Sequence, residues 1–330
     1  MEKYPLVSVG VPVFNGEKEL ADTLISLINQ DYPRLEIIVS DNGSTDSTSE
    51  ICKEFVKKDD RIKYYHSTIN YGATWNFNKV FEKSSGKYFI WAAHDDKRDI
   101  SFVSACVEKM EQCPKAVLCQ CYTATYIEGN NETLCITNLN SFEGVTTLTQ
   151  RYWQVLKHYP ATAIYGLYRA SAMRKTRKFE NVMATDLAFI QELSLQGNFV
   201  QVPEVLFTYM GRKKWNTVNQ DYKNIFGKDK KPLWYLPFLM LFCNHWSRLR
   251  SAKLSYIDKI CLWFLLVIFE LWQISLKVLI RIIGKICPLA LKEKLAWAIY
   301  RRWMLGPNLE IRCEDLFMER IIKPKLGWWK

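Results

Sequence analysis

Two adjacent carboxylates, Asp95 and Asp96, follow an apolar run of strand-forming residues at positions 88–93. A short, aromatic-rich run bounded by a glycine and by charges predicts a buried strand. In α/β sheets, ligands bind at the carboxyl ends of the strands, where two carboxylates can hold a divalent metal ion through oxygen. The alternative is a solvated strand-to-helix turn in which an Asp caps the helix.

A third acid, Asp41, ends a second apolar run at positions 35–40. An acid at this point can accept hydrogen bonds from a ribose or a base, as in dinucleotide-binding folds. Gly43 and Ser44 then allow a tight turn, although the sequence DNGSTD is also typical of an ordinary turn and helix cap. The first strand-to-helix turn has neither a glycine-rich dinucleotide fingerprint nor a phosphate loop. A phosphate-bearing ligand would therefore need a metal ion, for which Asp95 and Asp96 are candidates.

The elements that position these acids alternate in type. Strand-like runs occur at positions 6–13, 35–40, 62–65 and 88–93, and apolar residues at helical spacing separate them. This alternation predicts an α/β fold with a mostly parallel, Rossmann-like central sheet and helices on both faces. Right-handed crossovers would bring the loops after each strand to one edge. We therefore expect polar loops from separate strands to converge on one crevice.

Charge divides the chain into two unlike parts. Residues 1–210 carry a net charge of −3 and residues 211–330 a net charge of +14, and the basic part also contains long apolar runs. Basic residues interleaved with Trp, Leu and Ile favour an anionic membrane surface over nucleic acid as the partner. A basic helical subdomain with a solvated face is the alternative. We expect residues 216–330 to form a membrane-association region.

The cysteines and the N-terminus favour a cytoplasmic enzyme. None of the ten cysteines shows zinc-site spacing, which predicts buried thiols in a reducing cytosol. The first residues lead directly into a strand with no secretory signal ahead of it. The expected location is the cytoplasmic face of the inner (plasma) membrane, in a peripheral or monotopic arrangement.

Two C-terminal segments predict helices that lie in the membrane interface. Residues 260–283 are long enough to cross a bilayer, but polar residues form one stripe along this helix: Glu270, Gln273, Lys277 and Arg281. Such groups are costly against lipid and stay hydrated in an interfacial helix. Residues 290–305 repeat the pattern. A transmembrane hairpin remains an alternative, as does a helical subdomain that buries its apolar faces against a partner chain, including a possible homo-oligomer.

Four segments in order carry a family resemblance: VSVGVPVFNGEKEL, EIIVSDNGSTD, INYGATWNFN and the strand end HDD. Over roughly residues 6–212 they resemble the nucleotide-sugar-binding half of family-2 glycosyltransferases with the GT-A fold. The resemblance implies that Asp95 and Asp96 hold Mg²⁺ or Mn²⁺ against the diphosphate of a nucleotide sugar, with a UDP-linked donor expected. It also implies the donor-binding residues, which are Pro12, Phe14, Asn15, Glu17, Asp41, Gly43, Asn70, Gly72, Asn78 and Asp95. In one departure, Ala93 stands where members commonly carry a further acid.

The same resemblance implies a catalytic base. Positions 182–189, followed by a Pro-Glu-Val-Leu strand at 203–206, look like the segment in which inverting members carry it, and the matching acid is Asp186. One carboxylate near the acceptor hydroxyl is sufficient for that chemistry. The alternative for Asp186 is a charge stabilised by a helix N-terminus. Glu192 on the same helix should point elsewhere, and Trp153, Tyr159 and Tyr165 are candidates either for stacking on the acceptor sugar or for the core.

The combined prediction is a metal-dependent inverting glycosyltransferase with its GT-A domain at residues 1–215. It would move a sugar to a hydroxyl of a lipid-linked or polysaccharide intermediate of envelope glycan assembly at the membrane face. A sugar-nucleotide pyrophosphorylase is one alternative, although it would normally carry a basic glycine-rich loop after the first strand. A catalytically silent carbohydrate-binding protein of the same fold is the other.

Overall fold

A computed structural model of the protein describes residues 4–127, 133, 135–158, 161–182, 184–211, 237–286 and 309–311. The first part of the chain alternates strands and helices: β1 (Val7–Val13), α1 (Leu20–Ile28), β2 (Leu35–Asn42), α2 (Thr48–Lys58), β3 (Ile62–Ser67), α3 (Ala73–Glu82), β4 (Tyr88–Trp91), β5 (Lys97–Arg98) and α4 (Phe102–Gln112). The predicted α/β alternation is therefore present in the structure.

The second part is less regular. Its elements are β6 (Ala116–Ile127), β7 (Cys135–Thr137), α5 (Leu148–His158), β8 (Leu167–Arg169), α6 (Ala170–Met173), α7 (Thr185–Ser194), β9 (Asn198–Gly211), α8 (Pro237–Ser251), α9 (Tyr256–Ile286) and β10 (Leu309–Ile311). Two 3₁₀ turns, Asn140–Phe142 and Ala161–Tyr165, lie beside α5.

The described strands form one mixed sheet of ten strands. Strands β3, β2, β1 and β4 are parallel neighbours in that order, and β6 also pairs with β9 in parallel. The contacts of β8 with β4 and β6, of β7 with β6 and β10, and of β5 with β9 are antiparallel. The expectation of a mostly parallel sheet thus holds for β1 to β4, whereas the pairing of the later strands is largely antiparallel.

Helices cover both faces of the sheet because its strands are apolar on both sides. On one face, Val9 and Val11 belong to a core shared with α1, α2 and α4. On the other, Phe89 and Trp91 belong to a core shared with α3 and α7. Gly10 permits the close approach of α3, because a Cβ at this position would lie 2.6 Å from Val80 Cγ2.

A third apolar cluster joins the C-terminal helices to the rest of the protein. It includes Tyr152 of α5, Leu195 just after α7, Leu249 of α8, and Leu262 and Leu266 of α9. No helix among the described residues combines the length and apolar character needed to cross a bilayer. The second predicted interfacial segment, residues 290–305, lies outside the described residues.

Candidate functional site

The loops that follow β1 and β2 are joined side by side at the carboxyl edge of the sheet. The backbone N–H of Asn15 donates to Ser44 Oγ at 2.9 Å, and Thr45 N–H donates back to Asn15 Oδ1 at 2.9 Å. Asn15 adopts a left-handed conformation with φ of 53°. The polar side chain of Asn15 therefore shapes the cradle between the two loops.

Glu17 makes a second link between these loops. Its backbone N–H donates to Asp46 Oδ2 at 3.1 Å, and its carboxylate accepts from Ser47 N–H at 3.2 Å. The two remaining residues predicted in the first loop differ in exposure: Phe14 is exposed, whereas Pro12 is buried within β1 opposite Ser40. Of these two residues, Phe14 is therefore the one whose side chain could contact a ligand.

Asp41 is fully buried at the end of β2. Its Oδ1 accepts from Ser44 N–H at 2.9 Å, and its Oδ2 lies 3.0 Å from the Tyr64 hydroxyl and 3.1 Å from His66 Nδ1. The next turn requires a glycine, because Gly43 has φ of 77° and a Cβ there would lie 2.9 Å from the Ile69 carbonyl carbon. Asp41 therefore fixes the turn through one oxygen and faces two β3 side chains with the other.

Two asparagines that the sequence analysis did not single out hold the neighbouring loop ends. Asn42 Nδ2 donates to Asn70 Oδ1 at 2.9 Å and to the Gly72 carbonyl at 3.1 Å, which fixes the β3–α3 turn. Asn76 Nδ2 donates to the carbonyls of Val13 at 3.2 Å and Ser40 at 2.9 Å. Asn76 thereby ties the ends of β1 and β2 to α3. The sequence signal that could have identified Asn76 is its position in the segment INYGATWNFN.

Asp95 and Asp96 lie at the end of β4, as predicted. Asp95 is half-buried and Asp96 is fully buried. Burial, with the negative charge of Asp95 beside it, raises the pKa of Asp96 to about 7, although Arg98 and the Met210 N–H oppose this effect. Asp96 Oδ1 accepts from Met210 N–H at 3.4 Å, while Oδ2 is a buried oxygen without a hydrogen-bond partner among the described residues.

These two carboxylates fit a divalent cation of the Mg²⁺ type. Such an ion is commonly held by one or two carboxylates together with substrate phosphates rather than by a full protein cage. The described residues contain no group of three or more potential metal-ligating side chains. Asp96 Oδ2, which has no hydrogen-bond partner among the described residues, is nevertheless an oxygen available to coordinate such an ion.

His94 and Arg98 complete the surroundings of the acidic pair. A Cβ on Gly16 would lie 3.0 Å from the His94 ring, so this ring packs over the first loop. Arg98 is buried between the rings of Phe102 and Phe207, at 5.2 and 4.8 Å from their centroids, and donates to the Trp91 carbonyl at 2.8 Å. The sequence analysis missed Arg98, which supplies positive charge next to Asp96.

Asp186 is the second residue of α7. Burial raises its pKa, an effect that the N–H groups of Leu187 and Asp186 itself oppose. The pKa of the Tyr165 hydroxyl is raised by burial and then by the charges of several neighbours: Asp96, Tyr209, Asp95 and Asp186. Tyr165 thus has the metal-binding candidates and the candidate base among its neighbours.

Asn78 contacts the segment before α7, and Trp153 contacts α9. Both polar atoms of the Asn78 side chain bond the backbone of Phe179, at 2.9 and 3.2 Å, on the segment that leads to Asp186. The Trp153 ring packs edge-on against Phe269 of α9, with centroids 6.4 Å apart, as expected for a core residue. Tyr159, the third stacking candidate, lies outside the described residues.

Two named bacterial relatives match about a third of the chain. The putative teichuronic acid biosynthesis glycosyltransferase TuaG of Bacillus subtilis is 38% identical over 93 residues, which cover 28% of this chain and 37% of TuaG. The GalNAc(5)-diNAcBac-PP-undecaprenol beta-1,3-glucosyltransferase of Campylobacter jejuni is 35% identical over 109 residues, which cover 33% and 35%. The matched segment thus spans little more than a third of either relative's length.

Solved structures share the fold at lower identity. Staphylococcus aureus TarS in complex with UDP has a TM-score of 0.57 at 18% identity, covering 78% of this chain and 69% of that chain. The mannosyltransferase PcManGT of Pyrobaculum calidifontis, in complex with GDP-Man and Mn²⁺, has a TM-score of 0.56 at 15% identity, covering 91% and 81%. The sequence profile of "Glycosyl transferase family 2" matches residues 8–181, more than half of the chain. The protein is therefore a family-2 glycosyltransferase in sequence and has a GT-A-type α/β fold.

Proposed function

We propose that this protein transfers a sugar from a nucleotide-diphosphate donor to an acceptor hydroxyl with inversion at the anomeric carbon. The observation that carries the proposal is the placement of acidic residues at the ends of two parallel strands of the sheet, with a further acid near the start of α7. Asp41 lies at the end of β2, Asp95 and Asp96 lie in the loop after β4, and Asp186 is the second residue of α7. Tyr165 has Asp95, Asp96 and Asp186 among its charged neighbours, which supports a single cleft.

Each part of the donor has a counterpart in the cleft. The base and ribose would lie at the joined β1 and β2 loops, where Phe14 has an exposed ring. Asp41 would accept a hydrogen bond from the donor through Oδ2, the oxygen that faces Tyr64 and His66. The diphosphate would lie at Asp95 and Asp96, which would hold Mg²⁺ or Mn²⁺. The bound cation would supply positive charge to the leaving diphosphate, as in other metal-assisted displacements.

Asp186 supplies the remaining step. Its carboxylate accepts the proton of the acceptor hydroxyl while that oxygen bonds to the anomeric carbon and the bond from this carbon to the diphosphate oxygen breaks. Attack from the face opposite the leaving group inverts the configuration. A single base is sufficient because the diphosphate leaves without being protonated, unlike the leaving group of a glycoside hydrolase.

We propose a lipid-linked or polysaccharide acceptor at the cytoplasmic face of the plasma membrane. The Campylobacter relative acts on an undecaprenol-linked substrate according to its name. On α9, five apolar side chains at three- and four-residue spacing are between 38 and 73% exposed: Ile257, Ile260, Phe264, Ile268 and Leu271. Exposed Lys253 lies three residues before this helix. An amphipathic basic surface of this kind favours anionic headgroups.

Turnover with a panel of nucleotide sugars tests the proposed reaction. We expect one donor to raise the melting temperature of the full-length protein only with Mn²⁺ or Mg²⁺ present, and to release nucleoside diphosphate when an acceptor is added. The product should have the anomeric configuration opposite to that of the donor by NMR. Release of pyrophosphate would instead indicate a pyrophosphorylase, and donor binding without turnover would indicate a silent binding protein.

A further inference from the structure

Helix α8 carries a buried arginine, Arg248, that contacts α7. The residue is 2% exposed. Its Nη1 donates to Glu192 Oε2 at 2.5 Å, and its Nη2 lies 2.8 Å from both Glu180 Oε2 and the Lys178 carbonyl oxygen. Its Nε donates to Asn244 Oδ1 at 2.7 Å. All three donor nitrogens of the guanidinium are therefore used.

The partners of Arg248 are the residues that place Asp186. Glu192 lies on α7, the helix that has Asp186 in its first turn. Glu180 lies on the segment that leads into this helix, and its N–H donates to Thr185 Oγ1, immediately before Asp186, at 2.9 Å. Arg248 thus holds α7 through one carboxylate and the entry to α7 through another.

Arg177, in the segment before α7, contacts the same two carboxylates. Its backbone N–H donates to Glu192 Oε2 at 3.0 Å, and its guanidinium bonds Glu180 Oε1 at 2.6 Å and Ser247 Oγ of α8 at 2.8 Å. On the opposite side, Asn78 of α3 holds the backbone of Phe179. The segment that carries the candidate base is therefore held between the donor half and α8.

We propose that Arg248 is a positioning residue for Asp186, so that α8 belongs to the catalytic machinery although it lies outside the matched family region. This inference rests on the proposed role of Asp186 as the base. A buried ion pair contributes little net stability compared with an apolar replacement, but it can specify one arrangement of the groups that it joins. The chemistry needs that precision, since a misplacement of about 1 Å can cost ~100-fold in rate.

The test uses the full-length protein with Arg248→Met and, as a matched control on the same helix, Arg250→Met. Arg250 is exposed, so its loss should change neither rate nor affinity. We expect Arg248→Met to lower kcat by ~10–100-fold while the Kd for nucleoside diphosphate stays within about twofold, because the donor cradle lies on β1 to β3. Arg248→Lys, which keeps the charge but loses the planar fork, should recover part of the rate.

Hydrogen exchange supplies a readout that does not depend on activity. Peptides covering residues 178–188 should exchange at least ~10-fold faster in Arg248→Met than in the wild type, whereas peptides from β1 and β2 should be unchanged. If Arg248→Met does not fold, Asn244→Ala and Glu180→Gln disturb the same network at less buried positions. Both variants should also lower kcat while the Kd stays within about twofold, and the loss of kcat should be smaller than in Arg248→Met.

Several outcomes would overturn the inference: unchanged exchange at residues 178–188, an unchanged kcat in a folded Arg248→Met, or a parallel loss of kcat and donor affinity. Faster exchange in the variant, together with a wild-type protein that turns over no donor, would support the positioning of α7 and would refute the proposed transferase activity instead.

Discussion

Asp41 and His66 lie opposite each other in the register of β2 and β3, and 3.1 Å separates Asp41 Oδ2 from His66 Nδ1. The carboxylate is fully buried, whereas the His66 side chain is 41% exposed. The Tyr64 hydroxyl, 3.0 Å from the same oxygen, completes the group. The Asp41 carboxylate is thus held in place as a hydrogen-bond acceptor, and the exposed His66 ring lies next to it.

Asp41→Asn should weaken nucleotide binding. The substitution replaces a charged acceptor by an amide, and charge-assisted hydrogen bonds contribute about 1.5–3 kcal/mol, so we expect the Kd for nucleoside diphosphate to rise ~10–100-fold. Isothermal titration calorimetry measures the change, and thermal melting without ligand checks the fold. The control Asp60→Asn, at an exposed position, should bind as the wild type does. An affinity within twofold of wild type for Asp41→Asn would contradict the role assigned to this residue.

Asp186→Asn should abolish most turnover without affecting donor binding. Loss of a general base typically costs ~10²–10⁴-fold in rate. We expect kcat to fall in this range while the donor Kd is retained, since Asp41 and the loops around it are untouched. Glu204→Gln, which changes an exposed acid of β9, is the matched control. Full transferase activity in Asp186→Asn would exclude Asp186 as the base.

The pH profile should report the environment of Asp186. Burial raises its pKa above the ordinary value of 3.8, and only the ionised carboxylate can accept a proton. We therefore expect kcat/KM to decrease as the pH falls through this raised pKa, at a higher pH than an ordinary Asp would give. The decrease should disappear from the residual activity of Asp186→Asn. A decrease that persists unchanged in this variant would belong to another group.

Glu36 should stabilise the fold through a network at the other end of the sheet. It accepts hydrogen bonds from Ser8 Oγ at 2.6 Å, Lys63 Nζ at 2.6 Å and Ser85 N–H at 2.7 Å. Burial alone would raise the pKa of Glu36, but the hydrogen bonds from Lys63, Ser8 and Ser85 outweigh it and lower the pKa from 4.5 to about 2. The depressed pKa means that the folded state binds the ionised form more strongly than the unfolded state does.

This contribution is present above pH 4.5 and is lost as the pH falls towards 2. Glu36→Gln should lower the free energy of unfolding at pH 7 by about 2 kcal/mol, less than the full shift would give because Lys63 is half-exposed. Urea unfolding at a series of pH values measures the difference, which should shrink below pH 4.5. Glu54→Gln removes an exposed pair with Lys58 and should leave stability unchanged. A difference that is independent of pH would contradict the assignment.

The exposed stripe on α9 should bind anionic vesicles. Phe264→Ser with Ile268→Ser removes two apolar side chains from its centre without adding charge. We expect the double variant to float less with vesicles of phosphatidylethanolamine and phosphatidylglycerol than the wild type does. The control, Ile25→Ser with Val56→Ser, removes exposed apolar side chains from α1 and α2. Equal flotation of the wild type and the α9 variant, or a wild type that dimerises through this stripe instead, would refute membrane docking by α9.

The strands of the donor half could be predicted because their residues form continuous apolar runs between turn residues. The runs at 6–13, 35–40 and 88–93 match β1, β2 and β4 to within two residues at each end. The exact start of α1 could not be predicted from the apolar spacing. The helix begins at Leu20, and ahead of it the N–H groups of Asn15 and Glu17 bond side chains of the loop after β2.

Contacts between distant segments could not be read from the residue pattern. The strand predicted at positions 62–65 includes Tyr64, and β3 extends past it to include His66. Only the register of β2 and β3 brings these two side chains to Asp41. Glu192 was expected to point away from the cleft, and it does, towards an arginine 56 residues further along the chain. Local periodicity carries no information about such a partner.

The ion pairs of Arg248 with Glu180 and Glu192 also limit how this protein can be engineered. The family match ends at residue 181, before α7 and before the helix that supports it. A chimaera that exchanges residues 1–181 with a relative, in order to change the donor sugar, would separate Glu180 from its native counterpart on α8. Donor-swapped hybrids of this protein should therefore carry matched residues at positions 177, 180, 192 and 248, or they will bind the new nucleotide sugar without using it.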